Sequence, residues 1–141
     1  MSSPMGTFLA GIQTAIEATS ITADFQLRRD VEIKSKKSGK QTYIVLSPME
    51  EITVRPESPT SYLAQPVARM RLAVVYPTDA SAITALTDLF QAVRNALFGQ
   101  SFSGRRSLTV DIKGEYAFDD TTTNLYYLDL ELTGEYQVST T

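Results

Sequence analysis

Apolar and polar positions alternate with two different periods along this chain, and each switch of period marks an element. Phe8, Leu9, Ile12 and Ile16 recur at helical spacing, with Ser3-Pro4 or Thr7 as a start signal, so the first twenty residues read as a short amphipathic helix. Phe25, Leu27, Val31 and Ile33 then share one face, interrupted by Arg29, and the stretch Lys36 to Lys40 reads as a turn into Thr42–Leu46. The expectation is a β-hairpin with a lysine-rich tip. Ser47-Pro48 stops its second strand, Ile52 and Val54 form a brief extended piece, and Pro56, Pro59 and Pro66 punctuate a loop from about Arg55 to Gln65. That loop is expected to be the most mobile segment.

Val67 to Tyr76 suits a central strand, with Met70, Leu72, Val74 and Tyr76 on one face, Arg69 and Arg71 on the other, and Pro77 at its end. Thr78 and Asp79 are good N-cap residues for the next helix. Its apolar positions Ile83, Leu86, Phe90, Val93 and Leu97 repeat every three or four residues until Gly99 stops it. After a polar loop from Gln100 to Arg106, Leu108, Val110, Ile112, Tyr116 and Phe118 alternate with Asp111, Lys113 and Glu115. Asp119 to Asn124 reads as a turn. The return strand places Tyr126, Leu128, Leu130, Leu132, Tyr136 and Val138 on one face and Tyr127, Asp129, Glu131, Thr133, Glu135 and Gln137 on the other. Gly114 and Gly134 interrupt the apolar faces of this pair, which suggests a bulge, a bend or a close approach of another backbone.

The order helix, hairpin, short strand, loop, strand, helix, hairpin belongs to the α+β class. It predicts one domain over residues 1–141: a largely antiparallel or mixed sheet, two helices packed on one face, and a long C-terminal β-hairpin. At 141 residues the chain is long enough to bury a core unaided, and no apolar run approaches the length of a membrane-spanning helix. The start also lacks a secretory signal pattern, so the chain reads as a soluble protein folded in a cytoplasm.

Composition narrows the chemistry. The chain has no cysteine and no histidine, which removes disulfides, Cys/His zinc sites, thiol nucleophiles and Ser-His-Asp triads. The reading is of a non-enzyme with no cofactor, no metal and no catalytic residues. A formal charge of −3 argues against a dedicated nucleic-acid binder, but the charge is uneven. Arg28, Arg29, Lys34, Lys36, Lys37 and Lys40 crowd one stretch, whereas from Ser107 onward Lys113 stands alone against seven carboxylates. Asp129, Glu131 and Glu135, with no basic partner near them in the sequence, read as a solvated or lumen-facing acidic strip. Lys34, Lys36, Lys37 and Lys40 read as a solubilised tip or as a patch that meets the acidic face of a neighbouring subunit. Tyr127, on the polar face beside Asp129 and Glu131, is the tyrosine expected to face a partner. Asp119-Asp120 and Glu50-Glu51 are adjacent carboxylates able to bind a cation or act as an acid/base pair, but solvated turns explain them more simply.

The stretch Ala68-Arg-Met-Arg-Leu-Ala-Val-Val-Tyr-Pro-Thr-Asp79, the helix to Gly99, then Lys113 to Asp120 and Leu125 to Val138 with its Leu-Thr-Gly-Glu-Tyr, resembles the tail terminator proteins of long-tailed bacteriophages. In that family an N-terminal helix precedes a hairpin, a central strand ending in Pro leads into a second helix, and a strand pair closes the chain. The resemblance covers most of the chain in element order and rests on pattern rather than a signature motif. It implies a virion structural protein of the tail and neck, assembled in the host cytoplasm. Its copies would form a homo-oligomeric ring, usually of six, that caps the tail tube and stops its polymerisation. Its partners would be the tail tube protein, head-connector proteins and viral DNA threading the lumen with weak, non-specific contact, and no membrane. The lysine-tipped hairpin and proline-rich loop depart from shorter members. A second likeness is to coat proteins of small single-stranded RNA phages, through Gly39-Lys-Gln-Thr-Tyr-Ile-Val-Leu-Ser-Pro48 and the helix ending Ala96-Leu-Phe-Gly99. It implies a capsid shell that binds RNA on a sheet face. Helices usually close those chains, whereas here a complete strand pair follows.

Overall fold

The computed structural model describes residues 3–29, 42–75, 79–99, 105–119 and 125–139. Helix α1 (Pro4–Glu17) begins as its residues dictate: Ser3 is the N-cap, its Oγ accepts from the Gly6 N–H at 3.0 Å, and Pro4 opens the first turn. Phe8, Ile12, Ala15 and Ile16 form its buried stripe. Strands β1 (Asp24–Leu27), β2 (Thr42–Ser58) and β3 (Ser61–Val75) follow, then α2 (Asp79–Gly99), β4 (Arg105–Asp119) and β5 (Leu125–Ser139). The five strands form one mixed sheet in the order β1-β2-β3-β5-β4. This is the α+β class that the hydrophobic pattern predicts, with the long strands β4 and β5 paired antiparallel at the C-terminus.

Both helices pack on one face. Ile44 and Leu46 of β2, Ala68, Met70, Leu72 and Val74 of β3, and Leu128, Leu130 and Leu132 of β5 form a single buried cluster with α1 and with Ala82, Leu86, Leu89, Phe90, Val93 and Leu97 of α2. Cross-strand rows such as Leu46, Met70 and Leu130 explain why alternation in sequence becomes one apolar layer. Gly134 belongs to this layer. A Cβ there would lie 2.8 Å from the Phe8 ring, and Phe8 meets Tyr136 edge to face with centroids 6.2 Å apart. The close approach expected at Gly134 is therefore made by a helix side chain rather than by a backbone. Gly114 falls within a register irregularity between Lys113 and Ala117, which is a bulge.

Some expectations fail, and others concern residues that are not described. Phe25 and Leu27 do not form the first arm of a hairpin, because β1 runs parallel to β2, with Phe25 opposite Ile44 and Leu27 opposite Leu46. The lysine-rich tip, Lys34 to Lys40, lies outside the described residues, as do Tyr76 and Pro77. Ser47-Pro48 does not end a strand, and Pro56 and Pro66 also lie within strands. Instead β2 and β3 make one long hairpin that turns at Pro59-Thr60, and the supposed loop from Arg55 to Gln65 is its far end. The ladder tolerates Pro48 and Pro56 because both sit at register irregularities, where a missing N–H breaks no regular bond. Ile83 was expected in the buried face of α2 but is 48% exposed, its place being taken by Ala82.

Candidate functional site

The face of the sheet away from the helices carries the polar residues of β3 and β5. Tyr127, Asp129, Glu131 and Glu135 are all half-buried there, every second residue along β5. Their isolation in sequence does not survive folding. β3 pairs antiparallel with β5 so that Arg71 stands opposite Asp129 and Arg69 opposite Glu131. Arg71 grips Asp129 with two bonds: Nε donates to Oδ1 at 2.7 Å and Nη2 donates to Oδ2 at 3.0 Å. This fork-to-fork geometry is the strongest form a guanidinium-carboxylate pair takes. The guanidinium also lies over the Tyr127 ring, 4.0 Å from its centroid.

The reading of an acidic strip without basic partners is thus corrected at Asp129, which Arg71 holds. Asp129 and Tyr127 are held by the same arginine, which fixes three side chains on two strands in one arrangement. Next to them a small apolar cluster of Tyr43, Ala73 and Leu125, with Val75 and Tyr127 against it, forms the other end of the face. A carboxylate clamped by a guanidinium makes a good recognition surface, because its charge is already compensated when a neighbour removes water. Arg69 and Arg71 are the residues that sequence reasoning missed. The signal was available in two i, i+2 pairs of opposite sign, Arg69/Arg71 and Asp129/Glu131, but it becomes legible only once β3 is known to neighbour β5.

The other candidate residues are described only in part. Lys34, Lys36, Lys37, Lys40 and Asp120 lie outside the described residues, and Asp119 is the last residue of β4. Glu51 has a definite structural role. Its Oε1 accepts the Met5 N–H at 3.0 Å, so a carboxylate from β2 sits at the N-terminus of α1 and ties the long hairpin to the helix layer. Among the described residues no group of three or more carboxylates could hold a metal ion. No helix among them is long and apolar enough to cross a membrane. No protein-family model matches the chain, and no curated protein matches it.

Proposed function

We propose that this chain is a virion structural protein, a tail terminator or tail-completion ring that caps a phage tail tube and joins it to the head. The observation that supports this reading best is the element order α1-β1-β2-β3-α2-β4-β5 on a single sheet, with both helices on one face and a long antiparallel strand pair closing the chain. That is the order the resemblance to tail terminators implies, apart from the parallel β1 in place of a hairpin arm. The helix-free face fits an assembling protein, since its Asp129 is paired with Arg71 within the subunit and needs no solvent counter-ion when a neighbour packs nearby.

On this reading the tail tube, the head connector and viral DNA threading the ring are the partners, and the chain catalyses nothing. Mass measurement of the purified protein at micromolar concentration tests it. A single closed assembly of about six copies is expected. A monomer throughout, or a shell of far more than a dozen copies filled with RNA, would overturn it, the latter in favour of the RNA-phage coat.

A further inference from the structure

Helix α2 turns Ala82, Leu86, Phe90, Val93 and Leu97 into the core. Its exposed residues fall on the opposite arc, centred on Gln91, with Ile83 and Phe98 toward the two ends. Both of these apolar side chains are about half exposed. At 1.5 Å of rise per residue they stand about 22 Å apart along the axis, so no single apolar side chain of a partner covers both. An occupant of this face has to carry two apolar groups at the same separation.

Between those ends the arc is polar, and its side chains are bonded along the helix itself. Thr87 Oγ1 donates to the Ile83 carbonyl at 3.0 Å, Gln91 Nε2 donates to Asn95 Oδ1 at 2.8 Å, and Arg94 Nη2 donates to Gln91 Oε1. The Arg94 guanidinium also lies over the Phe90 ring, 4.7 Å from its centroid. Polar groups already bonded to one another lose less when a neighbour displaces water, and depletion of charge marks the core of an interface. Asp88 and Arg94 are the only charged residues of the arc. Asp88 has no hydrogen-bond or ion-pair partner among the described residues.

The arc reads nearly the same in both directions. Gln91 lies midway between Asp88 and Arg94, and within half a residue of the midpoint between Ile83 and Phe98. Two copies of α2 laid antiparallel across a twofold axis at Gln91 therefore set Ile83 of each against Phe98 of the other. Asp88 of each comes level with Arg94 of the other, and at an interaxial distance of about 8–10 Å that gap is within an arginine's reach. A parallel pair would instead set Asp88 against Asp88 and Arg94 against Arg94. Apolar spacing and charge order together select a second copy, antiparallel, as the occupant.

We infer that the outward face of α2 is a self-association surface on which a second copy docks antiparallel, across a twofold axis at Gln91. This does not rest on the ring reading. A ring that joins unlike partners repeats one sense of contact, so the twofold pair joins free copies or copies of different rings. One helix pair falls at the small end of interface sizes, so the pair forms well above micromolar concentration and leaves the mass at micromolar concentration unchanged. Because the chain has no cysteine, engineered thiols report the contact cleanly. Gln91→Cys puts a thiol on the axis, whereas Thr84→Cys puts one on the same arc about 21 Å from its own symmetry mate.

Oxidised at submillimolar concentration, Gln91→Cys should link into dimers at least about tenfold faster than Thr84→Cys, because the pair raises the effective thiol concentration. Thr84→Cys combined with Phe98→Cys should link as fast as Gln91→Cys, since those positions meet across the axis. Equal rates for the two single variants, or a faster Thr84→Cys, would overturn the inference. Light scattering of the unmodified chain provides the second reading. Its mass should rise between micromolar and submillimolar concentration, and Ile83→Glu should weaken that association about tenfold or more while leaving the urea midpoint at micromolar concentration close to the parent's. A mass constant over that range, or an Ile83→Glu chain that associates as the parent does, would contradict the pairing. Failure of the ring is read separately, as a monomer at micromolar concentration that still links through Gln91→Cys.

Discussion

Arg71 connects two residues of β5 that nothing in the chain order connects to it, and its contribution can be separated from theirs. The side chains of Arg71 and Asp129 are 19% and 34% exposed, so solvent still screens the pair and its value is modest despite ideal geometry. Arg71→Ala and Asp129→Ala should each lower stability by about 1 kcal/mol in urea unfolding, and a double-mutant cycle should return a coupling of about 1 kcal/mol. Strict additivity would show that the clamp adds nothing. At Gly134 the argument is steric. Gly134→Ala pushes a methyl against the fully buried Phe8 ring, and a loss of about 1–3 kcal/mol is expected, reduced when Phe8→Leu opens the space. Equal losses in both backgrounds would refute that explanation. The acidic face of β5 was legible residue by residue, because period two sorts side chains without tertiary knowledge. The pairing of Asp129 with Arg71 was not, since which strand lies beside β5 is set by packing of the whole sheet.

At the scale of elements, the helices show where a periodic pattern falls short. Ile83 and Leu86 look equivalent in the sequence, yet Leu86 is buried among β-sheet side chains and Ile83 is 48% exposed. Leu86→Ala should cost about 2–5 kcal/mol, whereas Ile83→Ala should stay within about 0.5 kcal/mol of the parent, measured by the urea midpoint. Similar losses would place α2 in a different rotation on the sheet. The capping of α1 was legible, because Ser3-Pro4 carries its own local hydrogen-bond logic, and Ser3→Ala should cost about 1 kcal/mol. The direction of β1 was not legible. Four residues, Asp24–Leu27, hold no information on whether they pair parallel or antiparallel; that depends on the path of the chain to Thr42. The prolines of β2 misled for a related reason, since a bulge accommodates a residue that a regular ladder rejects.

At the scale of the molecule, the two faces of the sheet have different characters. One face is sealed by α1 and α2, and the other presents a guanidinium clamp, carboxylates and tyrosine. Among the described carboxylates, Asp129 serves an arginine and Glu51 the N-terminus of a helix. The terminal strand pair, the clearest feature of the sequence, supplies both the inner row of the core and the polar face that neighbours would see. The copy number of the purified chain tests this account most directly. Native mass spectrometry at micromolar concentration should show one closed species of about six subunits that forms without nucleic acid, and a monomer at every concentration, or RNA-filled shells, would contradict it.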